Sequence, residues 1–172
     1  MHRKQIAALL AMALLGLSVF AFTRVSPAQA APKPRQNTIV DVAVSVNAKT
    51  GEFSTLIAAL KAAGLVNTLN GQGQYTVFAP TDAAFAKLGL NASNIGTLPK
   101  ATLTNILLYH VAHGSRYASD VVSSTQIRML NKEFTTVSTQ NGSVYINNAR
   151  IIEANVPASN GVIHVIDTVL MP

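Results

Sequence analysis

Apolar residues recur along the chain with two different periods, and the change of period divides it. Phe53, Leu56, Ile57 and Leu60 follow the i, i+3, i+4, i+7 rule of a helix with one buried face, and Gly64 stands where a helix-ending residue belongs. Ile39, Val42, Ala43 and Val46 repeat that spacing behind Thr38 and Asp41, which have the spacing of a capping box. Tyr75 to Ala79 has strand composition and is broken by Pro80. Thr81 is placed to cap a short helix over 82–88, with Gly89 stopping it. Pro99 suits the first turn of a further helix, in which Leu103, Ile106, Leu107 and His110 share a face and which Gly114 ends.

Beyond that point the pattern is β. Phe134–Thr139 and Ser143–Ile146 flank Asn141-Gly142, a hairpin signal with Gln140 as spacer. Asn147-Asn148 allows a turn into Ala149–Ile152, and a last apolar run, Val162 to Met171, follows Asn160-Gly161. Helices crowd the first half and strands the second, which predicts an α+β fold rather than alternating βαβ units.

The first thirty residues read as an address. Arg3 and Lys4 precede an uncharged run of 17 residues, Ile6 to Phe22, and Ala28-Gln29-Ala30 forms a small-x-small cleavage site. The competing reading is an uncleaved anchor, for which 17 residues is the lower edge of a bilayer span. Residues 1–30 are therefore expected to be a signal peptide, 31–36 (APKPRQ) a short Pro/basic tether, and 37–172 one domain. The location implied is extracellular, or periplasmic in a double-membraned bacterium, with no integral membrane segment after cleavage.

Charge is informative only once that segment is set aside. The full chain carries 13 Lys and Arg against 7 Asp and Glu, a formal +6. Without Arg3, Lys4 and Arg24 the balance is +3 over 142 positions, too thin for a nucleic-acid partner. There is no Cys, so disulfides, thiol catalysis and thiolate metal sites are excluded.

Candidate chemistry is faint. His110 and His113 form an H-x-x-H pair, but His110 aligns with an apolar helix face and His113 sits where it can cap a helix end, so no metal and no cofactor is expected. The seven acids are scattered with no i, i+3 or i, i+4 pairing, and none of the nucleophile-elbow, phosphate-loop or dinucleotide motifs occurs. A catalytic site is not expected. Asn91-Ala92-Ser93 and Asn141-Gly142-Ser143 are glycosylation sequons that matter only in a glycosylating host.

Three blocks in order, YTVFAPTDAAF (75–85), NILLYHV (105–111) and NGVIHVIDTVLMP (160–172), resemble the fasciclin-like domain, and FSTLIAALKAAGLVNTL (53–69) fits that family's opening. The resemblance implies a wedge of two small β-sheets packed at an angle with a cluster of helices, the last strand pairing near the strand that carries TVFAP. It implies a non-catalytic adhesion or interaction module for a surface or matrix protein or glycan, expected to be monomeric. The alternative is a soluble carrier holding a small apolar ligand between sheet and helices. Phe78, Pro80, Thr81, Asp82, Phe85, His110, Asn160, Gly161, His164 and Asp167 are expected to be structural, with Asp82 and His110 as buried polar groups satisfied by each other or by backbone. In human matrix members similar to this chain, a Tyr-His pair matching Tyr109-His110 and an Asp-Ile pair matching Asn155-Val156 are implicated in adhesion. Here Asn155 removes the carboxylate, and the 153–157 segment is expected to be a loop.

Overall fold

The structure is a computed structural model that describes residues 37–172. The signal-peptide and tether expectations lie outside the described residues. Helix α1 (Ile39–Thr50) begins with the capping box: Asp41 N–H donates to Thr38 Oγ1, and the Asp41 carboxylate accepts from the Thr38 N–H at 3.0 Å. Helix α2 (Ser54–Ala63) ends at Gly64 in the left-handed conformation, as its spacing predicts. Its start has no local cap. Ser54 and Thr55 instead donate their N–H groups to the carboxylate of Asp82, at 3.2 and 2.8 Å. The negative side chain thereby meets the positive end of a helix dipole.

After α3 (Val66–Leu69), strand β1 (Tyr75–Pro80) passes into α4 (Asp82–Ala86), capped by Thr81 and two residues shorter than predicted. A 3-10 turn (Ile95–Thr97) leads to α5 (Lys100–Leu108). That helix stops before His110 because Val111–His113 is a strand, β2, paired antiparallel with β1. His113 is therefore a strand residue rather than a helix cap. Helix α6 (Ala118–Ser123) and strand β3 (Gln126–Arg128) follow, neither marked by any apolar period.

Strands β4 (Phe134–Gln140) and β5 (Ser143–Ile146) form the expected hairpin. Gln140 pairs with Ser143, so the loop is the two residues Asn141 and Gly142, both at positive φ, and Gln140 belongs to the strand. Strand β6 (Ala149–Ala158) extends well past Ile152, and β7 (Gly161–Ile166) closes the chain's strand set.

The strands form one mixed ladder in the order β2-β1-β7-β6-β5-β4-β3, in which β1 and β7 are parallel and the other neighbours antiparallel. A bridge between Ala112 and Met129 brings the two ends together, so the wedge curls into a near-barrel. The α+β expectation holds. The last strand pairs with the TVFAP strand along its whole length, from Tyr75–Gly161 to Pro80–Ile166.

Alternation along β1 and β7 makes two cores. Val77, Ala79, Ile163 and Val165 pack beneath the helices with Phe53, Leu56, Phe85 and Leu103. Phe78 and Ile166 face the inside of the curl with Tyr109, Val121, Ile127 and Leu170. Successive side chains point to opposite faces of a strand, so a strand covered on both faces reads as a continuous apolar run. All six residues of β7 are buried.

Candidate functional site

Thr76, Thr81, His110, Asn160 and His164, polar residues of the family-like blocks, lie inside, and each bonds to backbone. His110 is buried; its Nδ1 lies 2.8 Å from the Ile106 carbonyl and its Nε2 accepts from the Leu170 N–H at 2.9 Å. A carbonyl only accepts and an N–H only donates, so the ring must be neutral with its proton on Nδ1. Burial pushes its pKa down to about 4, against a smaller upward pull from the Ile106 carbonyl. Asp82 is not its partner, being engaged at α2. Tyr109 is also buried: its hydroxyl donates to the Phe134 carbonyl at 3.2 Å and accepts from Asn147 Nδ2 at 3.0 Å.

Asn160 and Gly161 join three elements. The Asn160 side chain accepts from the Ile39 N–H at 2.8 Å and donates to the Leu69 carbonyl, holding the starts of α1 and the end of α3. A Cβ on Gly161 would lie 1.9 Å from the Tyr75 carbonyl oxygen, so only glycine lets β1 and β7 begin their pairing there. Asp167 accepts from the Arg150 N–H at 3.0 Å, fastening the start of β6 to the end of β7.

One network reaches the surface. His164 is buried and stacked on Phe78, with ring centroids 5.6 Å apart. Its Nε2 donates to the Arg116 carbonyl at 2.9 Å and its Nδ1 accepts from the Asn155 N–H at 3.3 Å, the opposite tautomer to His110. Burial lowers its pKa too, partly offset by the bond to Arg116. Asn155 then accepts the Ala118 N–H on its side chain at 2.7 Å, closing a ring that clamps the segment before α6 to β6. Thr76 secures the same segment from below, donating to the Gly114 carbonyl and accepting from the Arg116 N–H.

The clamp explains β6. Between Glu153 and Val156 the pairing with β7 shifts register, and Asn155 stands in this bulge at φ 62°. The predicted 153–157 loop is thus part of a bulged strand, and Asn suits its positive φ. Bulges re-aim side chains and end pairing, and β5 follows β6 only through Arg150 and Ala149. Where the strands part, a groove of about 250 Å³ opens among Ala118, Ser143, Val144, Arg150, Ile152 and Ala154. Ile152 and Tyr117 are half exposed, at 50% and 49%.

Of the residues singled out for binding, Asn155 stands in the bulge beside this groove, Val156 turns to the helical core, and Tyr109 and His110 lie inside. Asn155 is exposed and Val156 half-buried against the helical core. Arg150, Ile152 and Tyr117 carried no motif; the one signal was an apolar side chain alternating outward along a strand that was expected to stop at 152. Among the described residues no cluster of three or more His, Asp or Glu side chains is arranged to hold a metal, and no helix is long and apolar enough to cross a membrane.

A profile of the Fasciclin domain matches residues 51–172. Protein sll1483 of Synechocystis sp. is 47% identical over 137 residues, covering 78% of this chain and 73% of that protein. Transforming growth factor-beta-induced protein ig-h3 of Sus scrofa is 39% identical over 139 residues, which is 81% of this chain but only 20% of that much longer protein. A solved FAS1 domain pair from the insect cell adhesion molecule fasciclin I superposes with a TM-score of 0.65 at 20% identity, over 80% of this chain and 52% of that one.

Proposed function

The chain belongs to the fasciclin domain family, and from that premise we propose that it is an exported, non-catalytic recognition module binding a protein or glycan of a cell surface or matrix. The observation that carries this reading is the division between inside and outside. Tyr109, His110, Asn160 and His164 spend their polar atoms on internal backbone and side-chain partners, which leaves them none for a reaction. The groove beside the β6 bulge instead displays an arginine, an isoleucine and a tyrosine neighbour on a rigidly clamped frame. Arg and aromatic side chains are the residue types that carry protein interfaces. The fasciclin I likeness, to an insect cell adhesion molecule, supports the adhesive class.

The test is retention of cells on immobilised protein. Ile152→Ser and Arg150→Ser should each lower retention at least tenfold, while Lys61→Ala on the exposed face of α2 leaves it unchanged. Equal retention by all variants, or none by the parent, overturns the reading.

A further inference from the structure

The space between sheet and helices, where a carrier would be expected to hold its ligand, is closed: the gaps there are about 20 Å³ each, room for no more than a water. A larger apolar pocket, about 300 Å³, lies elsewhere, among α4, the 3-10 turn, α5 and the chain's last residues. Phe85, Ile95, Leu103, Ile106 and Val169 form its buried floor. Leu90 and Leu98 are half-buried walls. Its mouth is framed by Leu88 and Met171, 47% and 54% exposed, and by Thr102.

The lining selects its occupant. Water needs two to four polar partners, and Thr102 offers a single hydroxyl at the rim. An empty apolar cavity of this size forfeits packing in proportion to its volume. No charged residue lines it, so an ionic ligand would go unpaired. A partner helix, about 10 Å across with its side chains, is too wide to enter a space of 300 Å³. An apolar cavity of about 150 Å³ holds a six-carbon ring, so a pocket of about 300 Å³ takes roughly ten carbons. The geometry points to a binding site for one uncharged aliphatic chain of about ten carbons, its polar end at Thr102 and its tail over Ile106 and Val169. The site is independent of the adhesive surface, and it moves the carrier's ligand from the sheet–helix interface to the helix cluster.

Straight-chain primary alcohols from 1-butanol to 1-dodecanol provide the probe, titrated into the purified protein and followed by methyl NMR. Affinity should rise about fourfold per added methylene and level off near ten carbons. Resonances of Leu103, Ile106 and Val169 should move most. Leu98→Trp fills the pocket from its wall and should abolish binding with the far-UV circular dichroism unchanged. Thr102→Phe, on the exposed rim, should weaken binding at least tenfold and serves if the tryptophan variant does not fold. Absence of saturation with every alcohol, shifts centred on other residues, or unchanged binding in the folded variant overturns the assignment. So does decanoate or decylamine binding tenfold more tightly than 1-decanol.

Discussion

The backbone N–H of Leu170 donates to Nε2 of His110 at 2.9 Å, tying the chain's last apolar residues to the end of α5. The ring's single N–H, on Nδ1, donates to the Ile106 carbonyl, so one side chain joins a helix, a strand start and the C-terminal segment. Replacing it by alanine leaves the Leu170 N–H buried without a partner. His110→Ala should cost about 1–3 kcal/mol of stability, read as a lower denaturation midpoint, with surface recognition intact once folded. Unchanged stability with lost recognition would assign His110 to contact instead.

Acid should weaken the fold. The His110 pKa falls from 6.5 to about 4 on folding, so between those values the unfolded chain binds more protons and stability rises with pH. The contribution is complete above pH 6.5 and is lost as pH falls toward 4, about 3 kcal/mol in all. His164 shifts in the same direction and adds to it. Urea midpoints at pH 7 and pH 4 measure the loss, and His110→Gln should reduce it to the part that His164 contributes.

Gly161→Ala should fail more severely than any surface change. Its methyl would sit 1.9 Å from the Tyr75 carbonyl, and that backbone cannot rotate away without breaking the β1–β7 pairing. We expect a cost of about 3 kcal/mol or more, seen as a chain that does not accumulate folded.

At Asn155 the substituting residue decides the outcome. Asn155→Gly keeps the positive φ but drops the bond to Ala118, about 1 kcal/mol. Asn155→Val loses that bond and adds backbone strain, so it should be the worse of the two. With its amide oxygen held by Ala118, Asn155 has little to offer a divalent cation. Cell attachment by the parent should therefore be insensitive to chelator, and chelator sensitivity abolished by Asn155→Gly would contradict this.

The protein should scatter light as a monomer across micromolar concentrations. Among the described residues no heptad repeat or long apolar surface helix supplies a dimer seam. A concentration-independent dimer would show otherwise.

What the sequence determined by itself was whatever neighbours in the chain decide. The Thr38–Asp41 capping box, the α2 stripe with its glycine stop, the Thr81 cap and the Asn141-Gly142 hairpin each depend on residues within a turn of one another. The long blocks around Phe78 and His164 were legible as a family for a related reason: a core buried on both faces leaves few substitutions open. Tertiary structure decided the rest. Helix α5 stops short of His110 because β1 captures the next three residues as a strand, and β1 is remote in sequence. Asp82 serves the backbone of α2, 27 and 28 residues away, and not His110, which was one of the two partners its sequence left open. In the β6 bulge His164 and Ala118, 9 and 37 residues away on other segments, hold Asn155 from either side, and no local period records those contacts. The candidate surface, the groove where β5 and β6 part, depends on that bulge. Its residues therefore follow from contacts made only when the sheet curls.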